Sequence, residues 1–330
     1  MDISTEYMGI KLRSPIILSS SHLTNKVENI IEADKAGAGA VVLKSLFEEQ
    51  ILADLDKLYE KEKMFFWYKE AIEYMDELSR TDGINQYIEL IKESKSKVKM
   101  PVIASINCTT PHEWPQFTKE IEAAGADGIE LNMSIIPSDQ RTPCYVVQER
   151  YESIIRAVLE NTKLPVSIKV GPYFSNVNMA IRELSNTGIK GMVLFNRYYR
   201  PDIDIEKLEV VSGDFLSSPT EITHTLRWLA LMSPVAKCDL AASSGVHDHE
   251  GVIKMLLAGA KACQMTTTFV NNGIGYIANI NEGIAKWMER KNFRLTSEFR
   301  GLIADRSEHT PEFERIQYMK RNLGPHKRHA

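Results

Sequence analysis

The stretch AGADGIELN, Ala124–Asn132, contains a helix end, a glycine, a short linker, an apolar strand and a terminal polar residue. The same order recurs at 36–44, 187–196 and 258–266. Each glycine suits the left-handed conformation that commonly follows a helix C-terminus. This recurring helix-to-strand unit predicts an α/β fold.

A second set of apolar runs alternates with the first, at 15–20, 101–107, 165–169 and 239–243. Amphipathic stretches that predict helices lie between most runs, at 114–124, 148–161, 176–187, 220–233 and 250–258. Apolar strands separated by helices indicate a parallel sheet covered by helices. Eight such units predict a (β/α)8 TIM barrel. A doubly wound open sheet is the alternative, but no strand is followed by the G-x-G-x-x-G that would favour it.

The length of 330 residues suits one barrel domain spanning 1–330 with insertions. We expect a helical insertion at 48–80 after the second strand, either as a helix pair packed on the barrel or as a lid over its mouth. The segment 306–330 is expected to be a polar C-terminal tail.

Composition excludes several classes of protein. The chain has 43% hydrophobic and 25% charged residues, which argues against disorder. Its net charge of −4 disfavours a nucleic-acid partner, and no apolar run approaches the roughly 20 residues of a membrane span. Four dispersed cysteines without a C-x-x-C pair argue against a cluster or zinc held by this chain and predict a reducing, cytoplasmic location.

Chemistry in such barrels lies at the carboxyl ends of the strands. A lysine that ends a buried strand is costly unless it is used, so Lys44 and Lys169 are predicted to be functional. The last two strand ends, at Gly245 and Thr266, are where barrels commonly bind phosphate. The residues predicted at or near the strand ends are Ser19, Ser20, Lys44, Ser45, Asn107, Asn132, Ser134, Lys169, Asn196, Arg197, Ser244, Gly245, Thr266 and Thr267.

The predicted ligand carries a phosphate and has a planar part rich in hydrogen-bond acceptors that tolerates a nearby cation. FMN meets these demands, because its reduced ring is anionic near N1 and O2.

The strand ends carry no carboxylate pair, which disfavours glycoside hydrolysis. The run His247–Glu250 suggests a metal site, but we interpret Asp248 as the N-cap of the next helix and predict no metal.

The sequence resembles dihydroorotate dehydrogenase over roughly residues 1–290. The resemblance rests on motifs in the same order and at barrel-compatible spacing, including an opening, 7–16, that resembles the short hairpin before that family's barrel. The other motifs are Lys44-Ser45, Glu130–Ser134, Ile168–Phe174, Leu216–Pro219, Ser244–Val246 and Leu257–Thr267.

The resemblance implies FMN-dependent oxidation of dihydroorotate to orotate in pyrimidine biosynthesis. Lys44 would contact flavin and substrate, and Lys169 would stabilise N1/O2 of the reduced flavin. Ser45, Asn107 and Asn132 would bind the flavin, Asn132 and Asn196 the substrate. The phosphate and ribityl chain would be surrounded by Ser218, Ser244, Gly245, Thr266 and Thr267.

The sequence departs from the family at the catalytic base. The family carries a Cys or Ser in N-[LV]-S-C-P-N or N-[IV]-S-S-P-N, whereas this chain has Ile135 in that place. An isoleucine accepts no proton, so Ser134 and Cys144 are the remaining candidates for the base.

Three functions therefore stay open. The first is a dihydroorotate dehydrogenase-like enzyme, and the second a flavin-binding protein with little turnover of dihydroorotate. The third is a barrel lyase or aldolase that forms a Schiff base on Lys44 or Lys169. We expect a small-molecule substrate, a soluble electron acceptor, and the homodimer that the family suggests.

Overall fold

The computed structural model describes residues 1–47, 69–107, 114–133, 135, 140–197, 200–213 and 216–304. The predicted tail at 306–330 and residues 48–68 of the predicted insertion lie outside these ranges. The strands are β1 Thr5–Tyr7, β2 Ile10–Leu12, β3 Ile16–Leu18, β4 Ala40–Val42, β5 Leu46–Phe47, β6 Val102–Asn107, β7 Gly128–Met133, β8 Val166–Val170, β9 Gly191–Leu194, β10 Pro201–Asp204, β11 Glu209–Ser212, β12 Asp239–Ser243 and β13 Ala262–Met265. The α-helices are α1 Val27–Lys35, α2 Lys69–Lys97, α3 Trp114–Ala123, α4 Cys144–Leu159, α5 Val177–Ser185, α6 Ile222–Met232, α7 His249–Leu257, α8 Thr267–Asn272 and α9 Tyr276–Arg290.

Eight parallel strands close into a barrel in the order β3-β4-β6-β7-β8-β9-β12-β13, with β13 paired back to β3. The predicted TIM barrel is confirmed, and all eight apolar runs are its strands. The four glycines of the repeated unit have φ between +90° and +103° immediately after their helices, as the pattern predicts. Helix α2 takes up the end of the predicted insertion and continues to Lys97.

The barrel interior is apolar at one end and polar at the other. The antiparallel β1–β2 hairpin contributes Tyr7, Met8 and Leu12 to a buried cluster with inward-facing strand residues such as Ile103. Ser105 lies two residues beyond Ile103 and therefore on the same face of β6. The amino-terminal half of the interior is thus filled, and the polar side chains lie toward the carboxyl ends of the strands.

Tyr87 of α2 fixes the position of Ser105. Its hydroxyl donates to the Ser105 carbonyl at 2.9 Å and accepts from the Ser105 N–H at 2.7 Å. Burial raises the pKa of Tyr87, and the hydroxyl therefore keeps its proton and its donor role. The helix is thereby fastened to the strand that carries one wall of the site.

A second hairpin, β10–β11, follows the barrel strand β9. Its apolar side chains Ile203, Ile205, Leu208 and Val210 have the four highest exposures among the large exposed hydrophobic residues that the structure describes, from 65% to 84%. Within the described ranges, no helix has both the length and the apolar character needed to cross a bilayer.

Candidate functional site

A cavity of about 250 Å³ opens at the carboxyl ends of the barrel strands. Its wall is built from the carboxyl ends of β8, β12 and β13, the loops after β3, β9, β12 and β13, and the segment before α6. The lining residues are Ser19–His22, Lys169, Asn196, Arg197, Leu216, Ser217, Ser243–Val246 and Gln264–Thr267. The cavity thus gathers most of the polar residues that the sequence predicts at the strand ends.

Lys169 is a buried cation in the wall of this cavity. Its Nζ donates to Ser19 Oγ and to Gln264 Oε1, each at 3.0 Å. Burial lowers the pKa of Lys169, while the charge of Glu130 acts in the opposite direction. A partly desolvated amine held in one place favours anionic charge in front of it.

Glu130 lies beneath Lys169 and is fully buried. Gln264 Nε2 donates to one of its carboxylate oxygens, and the other has no hydrogen-bond partner within the described residues. Burial raises the pKa of Glu130, with the Lys169 charge and the Gln264 hydrogen bond opposing it. Gln264 therefore joins a buried acid and a buried amine.

A ladder of hydroxyls and amides runs along the neighbouring strand ends. Ser45 Oγ lies 3.1 Å from Ser20 Oγ and 2.7 Å from Ser105 Oγ. Asn132 Nδ2 donates to Ser45 Oγ at 3.3 Å, and Asn196 Nδ2 donates to Asn132 Oδ1 at 2.7 Å. Five side chains from separate strands are thus fixed relative to one another.

The other side of the cavity suits a phosphate. Ser244 and Gly245 follow β12 with φ of +74° and +75°, and Thr266 and Thr267 follow β13. A Cβ at Gly245 would lie 2.2 Å from the Ile222 amide nitrogen, so this position admits only glycine. Backbone and hydroxyl donors that surround a concave space are the usual means of binding phosphate in barrels.

The structure places Ser217, rather than Ser218, in the cavity wall. The Ser217 N–H donates to Thr267 Oγ1 at 3.0 Å, and the Ser217 hydroxyl lies 3.1 Å from His247 Nε2. Ser218 is exposed and its hydroxyl lies 2.7 Å from that of Thr220. Of these two serines, Ser217 lines the cavity and Ser218 does not.

The structure does not place the remaining predicted residues in the cavity lining. Lys44 follows β4 beside Ser45 with a half-buried side chain, outside the cavity lining. Cys144 begins α4 and is exposed, and Ser134 lies outside the described residues. Asn107, at the end of β6, is buried, and its Oδ1 has no hydrogen-bond partner in the part that the structure describes.

Ile135 is half-buried and packs against the main hydrophobic core. The side chain at the family's base position thus has a packing role in this chain.

Asp248 caps α7 as predicted, because its Oδ1 accepts from the Gly251 N–H at 2.7 Å.

Sequence reasoning assigned no role to Glu130 or Gln264 individually, or to Ser217 and His247. A signal was present for the first two, because each is a polar residue inside an otherwise apolar strand run. Inward-facing polar residues in a barrel strand must find partners across the interior. The Ser217–His247 contact joins two loops and has no comparable signal in the sequence.

The site suits a phosphorylated planar ligand such as FMN on two structural observations. The buried amine of Lys169 borders the cavity, and Asn107, which lies outside the cavity lining at the end of β6, has an Oδ1 without a partner among the described residues, which suits a donor such as a ring N–H. Ser244, Gly245, Thr266 and Thr267 would hold the phosphate. The protein is therefore a (β/α)8 barrel whose cavity at the carboxyl ends of the strands is lined by basic and hydrogen-bonding side chains.

The comparisons with known proteins identify the family. The family model described as dihydroorotate dehydrogenase matches residues 2–288, and the chain belongs to this family of flavin-dependent oxidoreductases. It is 27% identical over 305 residues to the catalytic subunit of dihydroorotate dehydrogenase B (NAD(+)) from Pyrococcus abyssi, covering 91% of this chain and 98% of the relative.

Two further relatives carry different names. A putative dihydroorotate dehydrogenase A (fumarate) from Aeropyrum pernix is 26% identical over 224 residues, covering 66% of this chain and 72% of the relative. The NAD-dependent dihydropyrimidine dehydrogenase subunit PreA of Escherichia coli is 24% identical over 341 residues, covering 98% of this chain and 82% of the relative. The family therefore includes relatives named for dihydroorotate and for other dihydropyrimidines.

Proposed function

We propose that this protein is an FMN-dependent dehydrogenase that oxidises dihydroorotate, or a closely related cyclic dihydropyrimidine, in pyrimidine biosynthesis. The observation that carries the proposal is the buried Lys169 amine in the wall of the cavity, held by Ser19 and Gln264 at 3.0 Å. A fixed cation beside the flavin ring lowers the free energy of its anionic reduced form.

We assign each of these residues a role in binding the flavin, binding the substrate or accepting its proton. Lys169 would balance the charge of the reduced ring, and Asn107, Asn132, Ser19, Ser20 and Ser45 would orient the ring. Lys44, Asn132 and Asn196 would hold the substrate, and Ser134 or Cys144 would accept its proton. FMN held by these residues would supply the hydride acceptor for the oxidation of the substrate.

The test begins with the visible spectrum of the purified protein. We expect a yellow protein with stoichiometric FMN whose absorbance is bleached when dihydroorotate is added without oxygen. A colourless protein that takes up no FMN would contradict the proposal.

The packing of Ile135 favours a second candidate function, a flavin-binding protein with little turnover. Loss of a general base typically slows a reaction by about 10²- to 10⁴-fold. Bound flavin that dihydroorotate does not reduce within hours would support this candidate, whereas bleaching within seconds would exclude it.

For the reoxidation of the flavin we propose a soluble electron acceptor in the cytoplasm. The relatives are named for NAD(+) and for fumarate. Reoxidation of the reduced protein by each compound, followed by stopped-flow absorbance, distinguishes them. Reoxidation by a membrane quinone alone would contradict a soluble acceptor.

We also propose a homodimer formed through the β10–β11 hairpin. An isolated two-stranded hairpin with an exposed apolar face is marginally stable in water, and a second copy would cover it. Light scattering should show a dimer that the double variant Ile203→Asp/Val210→Asp converts to a monomer. Met179→Asp, at an exposed position on α5, is the control; a wild-type monomer would contradict this proposal.

A further inference from the structure

Arg197 is a cation in the cavity wall that the proposed roles leave unused. It follows Asn196 after β9, and its side chain is only 14% exposed. Its Nε donates to Glu221 Oε2 at 3.2 Å. Among the described residues, the guanidinium makes no other hydrogen bond, and its two terminal nitrogens have no acceptor there.

Glu221 fixes the position of the Arg197 guanidinium through the ion pair at Nε. The Ser218 N–H donates to Glu221 Oε1 at 3.1 Å, and Arg200 donates to Glu221 Oε2 at 2.9 Å. Burial raises the pKa of Glu221, but these hydrogen bonds and the two guanidinium charges outweigh it and lower the pKa. One ionised carboxylate is therefore shared between two arginines, which leaves net positive charge at this wall.

The charge of the cavity has one sign. Among the described residues that line it, Lys169 and Arg197 are basic and none is a carboxylate. An arginine stays protonated in a protein, and its paired terminal N–H groups match the two oxygens of a carboxylate. The positive charge and the paired N–H donors of this wall therefore suit the binding of an anion.

We propose that Arg197 binds the carboxylate of the substrate and makes the enzyme select carboxylated dihydropyrimidines over uncarboxylated ones. This inference rests on the proposed function. Arg197 follows Asn196, whose amide is tied to Asn132, and is bonded to Glu221, whose backbone adjoins Gly245, so it lies between the amide side and the phosphate side of the cavity. The phosphate side has its own donors at Ser244, Gly245, Thr266 and Thr267.

The test measures binding of two planar pyrimidines by equilibrium dialysis against the FMN-loaded protein. Orotate carries the carboxylate and uracil lacks it. We expect Arg197→Gln to weaken orotate binding by about 10- to 100-fold, since a charge-assisted bidentate contact is lost, and to change uracil binding by less than about 3-fold.

Arg200→Gln is the matched control. Arg200 contacts the same Glu221 but is 56% exposed and lies outside the cavity lining. We expect this variant to bind orotate, uracil and FMN as the wild type does. Equal weakening by both variants would show that the arginines act only by holding Glu221 and would overturn the inference.

Two other results would also overturn it. An unchanged preference for orotate over uracil in Arg197→Gln would show that another group reads the carboxylate. Loss of FMN with orotate binding retained would assign the guanidinium to the cofactor phosphate. A wild-type protein that takes up no FMN contradicts the proposed function instead, and orotate dialysis of that protein still tests Arg197.

Discussion

Lys169 Nζ donates a hydrogen bond of 3.0 Å to Gln264 Oε1 across the interior of the barrel. The same glutamine donates to Glu130 on β7, which lies directly opposite β13 in the ring of eight strands. One neutral side chain thereby separates and orients a buried acid and a buried amine. Such a bridge satisfies groups that are costly to leave unpaired in a low-dielectric interior.

Replacing the bridge should destabilise the protein. We expect Gln264→Leu to lower the free energy of unfolding by about 3 kcal/mol, because it removes a partner from both Glu130 and Lys169. Ser19→Ala removes one hydroxyl from the same cluster and should cost about 1 kcal/mol. Urea unfolding followed by tryptophan fluorescence measures both. Equal stability of Gln264→Leu and wild type would show that the cluster does not depend on the glutamine.

The raised pKa of Glu130 predicts a distinct pH dependence. Above the ordinary value of 4.5, the unfolded chain has released this proton while the folded protein still holds it. Folding therefore takes up a proton, and the contribution of Glu130 to stability declines as the pH rises toward its folded pKa. We expect the free energy of unfolding of wild type to fall relative to that of Glu130→Gln as the pH rises above 4.5, and to stop falling above the folded pKa.

Glu122 supplies a control of opposite sign for that comparison. The Lys163 N–H and the Thr162 hydroxyl donate to Glu122 and lower its pKa. Its contribution is present above pH 4.5 and is lost as the pH falls through its folded pKa. Glu122→Gln should therefore approach wild-type stability in acid, and parallel curves for both variants would contradict these assignments.

Much of the fold followed from the sequence because it depends on local patterns. The eight apolar runs, the glycines with positive φ and the Asp248 cap are each decided within about ten residues of chain. The bridge from Glu130 to Gln264 depends instead on barrel closure, which brings together residues 134 positions apart. Ser217 replaced Ser218 in the cavity because loop geometry, unlike strand periodicity, does not determine which neighbour faces inward.

Two neighbouring residues after β12 should respond in opposite ways to small substitutions. Ser244 has φ of +74°, which costs a residue with a Cβ about 1 kcal/mol or more. We expect Ser244→Gly to raise stability by up to about 1 kcal/mol, with FMN still bound. Gly245→Ala should destabilise the protein and release FMN, because the new Cβ would meet the backbone of Ile222. Unfolding curves and the flavin content of the purified variants test both.

The position of Ile135 allows the missing base to be restored. If dihydroorotate is the substrate, Ile135→Ser supplies a hydroxyl where the family has its base, and flavin reduction should accelerate by about 10²-fold. Ile135→Ala, which removes the same packing against the core without adding a hydroxyl, is the control and should not accelerate reduction. Single-turnover bleaching of the flavin by dihydroorotate measures the rates. If Ser134→Ala or Cys144→Ala abolishes wild-type bleaching while Ile135→Ser brings no gain, the proton passes to that residue instead, and the base of this chain lies at a different position from that of the family.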